Sequence, residues 1–269
     1  MNGVLNLPTE QRLANINAAI RRGLSQVRGH SANEQTICLV GSGPSLDSTV
    51  PELRQLVAEG CKVVALNGAY GWLLEHGITP SAMVIIDGRA FNARFITQPV
   101  DGCSYFLASQ CAPEVFDRVR GVPNVFLWHC LTGDDPTEKA LLDGYYLNAW
   151  QPVSGGCTVG TRAVYLFRIL GFQSMHLFGM DSCYLDGHGH AIEQPENDGD
   201  DHTRVMCAER EFVCSAWHCE QALEFVDMIA RDGEYFQFSV HGNGLLAHIL
   251  EVGGADDGLT EQLYEGARS

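Results

Sequence analysis

The chain is short of basic residues. It has 17 Lys and Arg against 33 Asp and Glu, a formal net charge of −16 at pH 7 over 269 residues. A surface this acidic repels a nucleic-acid backbone over most of its area, which excludes broad nonspecific phosphate binding but not a small pocket for one nucleotide. Long apolar runs are also missing. The longest apolar helix candidate, Val164–Phe172, is interrupted by Arg168 and is too short to cross a bilayer. Met1–Glu10 has no basic stretch followed by an apolar one, so no signal peptide is expected. Ten cysteines are present but no C-x-x-C pair; the closest two are Cys214 and Cys219. Zinc-ribbon and thioredoxin-type sites therefore fail on spacing. The cysteines read as reduced, buried small hydrophobes in a cytoplasmic protein.

What is present is an ordinary globular mix, 45% hydrophobic and 19% charged, without internal repeats or low-complexity blocks. Residues 9–28 have helical period, with Thr9 as N-cap, Leu13, Ile16, Ile20, Leu24 and Val27 on one face, and Arg21, Arg22 and Arg28 on the polar side. This helix packs on its own domain or on a second subunit, which makes it a candidate homo-oligomer contact. Residues 1–33 thus form a helix and linker, 34–252 the main domain and 253–269 an acidic, solvated tail.

Within the main domain, short apolar strands alternate with helices. Strands are expected at Thr36–Val40, Lys62–Leu66, Ala82–Ile86, Tyr105–Ala108, Val125–Trp128, Met175–Phe178 and Tyr235–Val240. Helices are expected at Val50–Glu59, Ala69–His76, Pro113–Arg120, Thr158–Leu170 and Phe212–Arg231. This rhythm predicts an α/β fold, a mostly parallel sheet of about seven strands with helices on both faces. Leu131–Gln151 and Asp181–Thr203 fall outside it and read as long functional loops.

Ligands of open parallel sheets bind beyond the carboxyl ends of the strands. The first strand runs into Gly41-Ser42-Gly43-Pro44-Ser45-Leu46, whose glycines permit positive φ and close approach to an anion. The turn matches neither a Walker loop nor the dinucleotide fingerprint. A second small-residue turn, Ser154-Gly155-Gly156-Cys157-Thr158-Val159-Gly160, opens a helix whose N-terminus suits an anion. Asp87 and Asp181 follow apolar strands, where a carboxylate needs a metal, a substrate hydroxyl or backbone amides to satisfy it. Asp181–His202 holds seven acidic residues with His188, His190 and His202 and no Lys or Arg. It reads as a solvated lid, with a divalent-ion loop as the alternative. His218, four residues after Cys214 on a helix, reads as core, with metal ligation as the alternative.

Taken in order, these motifs resemble one family. Val40-Gly41-Ser42-Gly43-Pro44-Ser45-Leu46-Asp47, then Gly77-Ile78-Thr79-Pro80 before a strand ending in Asp87, is similar to the MptE-like pattern. So are Gly156–Gly160, Leu170-Gly171-Phe172, Phe178-Gly179-Met180-Asp181 and Tyr184–Ala191. The resemblance implies a Rossmann-like domain and spans several activities. One branch comprises archaeal 6-hydroxymethylpterin diphosphokinases that use ATP and magnesium. Another contains motility-associated flagellin glycosyltransferases, whose core is similar to bacterial CMP-sialic acid transferases. Gln221–Phe225 and His241–Ala247 look more like the latter side. In those sialyltransferases a histidine before the corresponding helix is the general base, whereas the nearest register here holds Cys214.

The expectation is therefore a nucleotide-dependent transferase, with a CMP-sugar-like donor or, alternatively, ATP with magnesium; a noncatalytic nucleotide-binding protein is the third reading. Gly41, Ser42, Gly43, Pro44 and Ser45, with Ser154, Gly155, Gly156 and Thr158, would hold the nucleotide, largely through backbone N–H groups. Asn67 would orient its base or sugar. Asp87 and Asp181 would hold a metal or position an acceptor hydroxyl. His188 or His190 would be the general base, and Asp181 is the third catalytic candidate. The acceptor would be a small molecule or a glycan.

Overall fold

The structure is a computed structural model that describes residues 7–131, 136–192 and 201–268. It opens with α1 (Thr9–Ile20), which the preceding Pro8 rather than Thr9 caps, without a side-chain hydrogen bond. The two-residue strand β1 (Ser25–Gln26) leads to β2 (Asn33–Val40), the centre of the fold. Alternation then runs through α2 (Val50–Ala58), β3 (Lys62–Leu66), α3 (Ala69–Glu75), β4 (Ala82–Ile85), β5 (Ser104–Ala108), α4 (Pro113–Asp117) and β6 (Val125–Cys130). After α5 (Pro136–Tyr146), β7 (Pro152–Val153), α6 (Val159–Ile169) and β8 (Phe172–Phe178), a hairpin of β9 (Thr203–Cys207) and β10 (Arg210–Cys214) interrupts the rhythm. The chain ends with α7 (Ala216–Asp232), β11 (Gln237–Val240), α8 (Leu245–Glu251) and α9 (Asp257–Gly266).

The main sheet has nine strands in the order β1-β6-β5-β4-β3-β2-β8-β11, with β7 beside β6, and every pair is parallel. Its inner strands are apolar along their whole ends: Ile37–Val40, Val63–Leu66 and Ala82–Ile85 are buried. That is what a sheet covered on both faces requires. This is the Rossmann-like α/β fold that the sequence pattern implies. The two strands beyond the expected seven, β1 and β7, are two residues each, too short to carry a periodic signal.

Three segments differ from expectation. Phe212 begins no helix; it lies in β10, and the helix starts after Ser215, whose side chain accepts the His218 amide. The supposed loop Leu131–Gln151 contains α5. The acidic tail folds as α9, with Leu259 and Leu263 buried, and its Gln262 pairs with the backbone of Met206 on β9. Side-chain capping of that strand's edge satisfies amide groups that an exposed strand leaves open. Helix α1 lies on its own domain: Ile16, Ala19 and Ile20 are buried, and Asn15 donates to Gly88 O and Gln110 O at 3.1 and 2.9 Å. Burying Ile16 and Ile20 is worth about 1.5–3 kcal/mol each. The partly exposed Arg22–Asp117 pair is worth about 1 kcal/mol at most. The apolar face therefore sets where the helix sits.

Candidate functional site

The chain leaves β2 with β3 on one side and β8 on the other, so the strand order reverses at β2 and opens a crevice at its carboxyl end. The Gly41–Leu46 turn lies there against the Gly179–Ser182 turn after β8. Gly41 donates to Phe178 O and Gly43 to Gly179 O, both at 2.8 Å, and Ser45 donates its amide to Asp181 Oδ2 at 3.0 Å. A β-carbon on Gly41 would lie 2.5 Å from Gly179 O, and one on Gly43 2.3 Å from Asp181 Oδ2. These glycines are needed for close approach; the positive φ belongs to Gly179, at 56°.

Asp181 is 4% exposed. A β-carbon on Gly244 would lie 2.6 Å from Asp181 Oδ1, and Leu245 donates to the Asp181 carbonyl at 2.7 Å. Burial raises the carboxyl pKa, and the hydrogen bonding from Ser45 only partly offsets it. Asp181 thus joins the turns after β2 and β8 and the start of α8. The amides of Gly41, Gly43 and Ser45 have acceptors inside the protein and Pro44 has no N–H. On this turn the carboxylate that meets a backbone amide is that of Asp181.

The second turn repeats the arrangement. Gly155 and Gly156 take φ of 79° and 85°, which places the Cys157 amide toward α7, where the Glu224 carboxylate accepts it. Thr161 Oγ1 also donates to Glu224 Oε2, at 3.0 Å. Thr158 caps α6 through Thr161 and accepts from Gln221 Nε2 at 2.8 Å; Ser182 Oγ donates to the same Gln221 amide at 2.8 Å. Buried Arg162 donates to the carbonyls of Leu131, Val153 and Gly156 and shapes the turn. Ser154 and Gly155 remain exposed at its rim.

The other candidates separate. Val40 pairs with Ala65, so Ser42 and Asn67 stand two residues beyond the same register, on neighbouring strand ends. Asn67 has φ of 46°, and its buried Oδ1 has no partner among the described residues. His190 Nδ1 lies 3.4 Å from Ser42 Oγ, and Ala191 donates to Ser42 O at 2.9 Å. His188 is exposed on a tight turn closed by Leu185. Asp87 is paired with Arg89 and accepts the Arg89 amide at 2.9 Å. Asp87 and Asp181 follow β4 and β8, which β3 and β2 separate in the sheet.

His218 caps α7 through Ser215, and its ring lies 5.0 Å from that of Tyr184. Burial, aided by His190 and His202, lowers its pKa to about 4. Cys214 donates to Ser182 O at 3.3 Å. No group of three potential metal-ligating side chains occurs among the described residues. Residues 193–200 of the acidic segment lie outside the described residues. Sequence reasoning missed Tyr184, Gln221 and Glu224 as site residues. The spacing of three between Gln221 and Glu224, which puts both on one helix face, was the available signal.

Residues 10–187 match the family model described as 6-hydroxymethylpterin diphosphokinase MptE-like, over more than half of the chain. The chain belongs to the MptE-like family. No curated protein matches the sequence of this MptE-like protein. Among solved structures it is similar to the MAf glycosyltransferase from Magnetospirillum magneticum AMB-1, with a TM-score of 0.65 and 15% identity. The match covers 96% of this chain and 44% of the other, so the MptE-like chain spans less than half of that protein. At this identity the likeness is one of fold.

Proposed function

We propose that this MptE-like protein is a nucleotide-dependent transferase, with glycosyl transfer from a CMP-sugar-like donor as the first reading. The observation that carries it is the buried Asn67 Oδ1, without a partner among the described residues, at the strand end next to the one that bears Ser42. A buried acceptor without a donor costs about 1–3 kcal/mol, and a base amino group or a ribose hydroxyl relieves that cost. Ser42 and Asn67 hold the nucleoside. Asp181, too enclosed to meet an acceptor, positions the turns. His190 takes the proton of the acceptor hydroxyl as the nucleotide leaves. The glycosyltransferase fold of the solved neighbour supports this reading.

The second reading, ATP-dependent diphosphoryl transfer, is favoured by the description of the family model. Its magnesium would need carboxylates free to bind it. Asp87 is engaged by Arg89 and Asp181 by Ser45, so these residues do not fit that role as a pair and no step is derived through the ion.

A thermal-shift panel of CMP, CDP, UDP, GDP and ATP, with and without magnesium, separates the readings. A ligand at a hundred times its Kd adds about 2.7 kcal/mol of stability. Metal-independent preference for CMP supports glycosyl transfer, magnesium-dependent ATP binding supports the kinase, and no shift with any nucleotide overturns both. With a turnover assay in hand, His190→Ala is expected to lower kcat by roughly 10²–10⁴. His188→Ala should stay within a few-fold of the parent; equal losses would remove His190 from its role.

A further inference from the structure

We propose that Cys38 and Cys61 form a redox-modification site, which a peroxide converts to a disulfide between β2 and the turn before β3. The two cysteines are 23 residues apart in sequence, and the fold brings their sulfurs to 3.3 Å. Cys38 pairs with Val63 across the parallel β2–β3 ladder. Cys61 is two residues before Val63, so strand alternation puts both side chains on one face of the sheet. Cys61 itself lies outside β3, at the amino ends of the strands, whereas the crevice opens at their carboxyl ends. Exposure and hydrogen bonding then give the two thiols different parts. Of the ten cysteines, Cys61 and Cys157 are partly exposed and the other eight, Cys38 included, are buried. The Cys38 thiol donates to the Cys61 sulfur, which holds the Cys61 thiol below its ordinary pKa against burial and the Glu59 charge. The same bond, with burial, pushes Cys38 up, and burial with the charge of Glu224 pushes Cys157 up. Cys61 is therefore the thiol that both meets solvent and forms thiolate readily. The other close pair, Cys214 and Cys219, is fully enclosed, so a peroxide in solution does not reach it.

The Cys61 thiolate attacks one peroxide oxygen. An S–O bond forms, the O–O bond breaks, and the leaving hydroxide takes up the proton that Cys61 released, giving water. The Cys38 sulfur then attacks the sulfur of the Cys61 sulfenic acid. The S–S bond forms, the S–O bond breaks, and the second hydroxide leaves as water with the Cys38 proton. Two thiols are oxidised by two electrons in all, and one peroxide is reduced to two waters. The sulfurs close from 3.3 Å to about 2.05 Å, a shift of about 1.3 Å that a turn residue such as Cys61 takes up.

The reduced chain, treated with hydrogen peroxide, blocked with iodoacetamide and mapped by mass after proteolysis, tests this without any nucleotide. The expected product is a Cys38–Cys61 linked peptide pair, two hydrogens lighter than the free peptides and separated again by dithiothreitol. Limiting iodoacetamide on the reduced chain should alkylate Cys61 at least about ten times faster than Cys157. Cys38→Ala should halt the reaction at the Cys61 sulfenic acid, which dimedone traps, and Cys61→Ser should leave Cys38 a thiol. Both measurements on the parent decide the matter should either variant fail to fold. Absence of the linked pair from the peroxide-treated parent, a Cys61–Cys61 link between two chains in its place, or Cys157 reacting as fast as Cys61 overturns the proposal.

Discussion

Gly43→Ala tests the joint between the turns after β2 and β8. The new methyl carbon would lie 2.3 Å from Asp181 Oδ2 and 2.7 Å from Gly179 O. Bringing the first contact to 3.0 Å requires a shift of about 0.7 Å, which stretches the Ser45–Asp181 hydrogen bond from 3.0 Å to beyond a working distance. Loss of a hydrogen bond to a buried carboxylate costs about 1.5–3 kcal/mol, and the overpacking adds about 1–3 kcal/mol. A total of about 2.5–6 kcal/mol corresponds to a fall in Tm on the order of 10 °C in a chain of this length. Thermal melts followed by circular dichroism measure it, and the clash makes a second demand. Because the methyl strikes the Asp181 carboxylate, combining Gly43→Ala with Asp181→Ala should cost at least about 1 kcal/mol less than the two changes separately. A Gly43→Ala melt within about 1 °C of the parent, or strict additivity with Asp181→Ala, would refute the reasoning.

Two further outcomes follow from the same kind of accounting. Gly144 lies inside α5, its φ is not positive, and nothing stands within 4 Å of a β-carbon there, so Gly144→Ala should stabilise by about 0.5–1 kcal/mol in urea melts; destabilisation would mean that α5 is not a regular helix at that point. His129 is 1% exposed with both ring nitrogens unpartnered among the described residues, and burial lowers its pKa to about 4. The unfolded chain therefore binds its proton below about pH 6.5 while the folded one does not, and stability falls as pH drops from there toward 4. His129→Leu should melt at or above the parent temperature at pH 7 and lose less stability between pH 7 and pH 5. Equal losses in both proteins would show that His218 and His241, also lowered to about 4, carry the acid sensitivity.

Much of the sheet was legible because its inner strands are nearly continuous apolar runs, such as Val63-Val64-Ala65-Leu66, and burial on both faces leaves no other use for such a run. The hairpin was not legible. Glu211-Phe212-Val213-Cys214 merges in sequence with the helix that follows, and only the Ser215 cap marks the boundary. α9 was misread for a related reason: an acidic surface hid Leu259 and Leu263, whose burial holds the segment on the domain.

By itself the sequence determined the α/β alternation, the turns that close the strands and the chemistry collected at their carboxyl ends. These follow from local rules, namely period, small residues and strand length. Which of those groups stand together was decided by the tertiary structure alone. A glycine turn offers its amides to whatever anion lies nearest, and here Asp181 reaches the first turn from 136 residues away and Glu224 reaches the second from 67. The same long-range packing put Asp87 and Asp181 on strand ends three strands apart in the sheet, and brought His190 to Ser42. Contacts between residues so far apart in sequence depend on strand order and register, and neither is written in a local pattern.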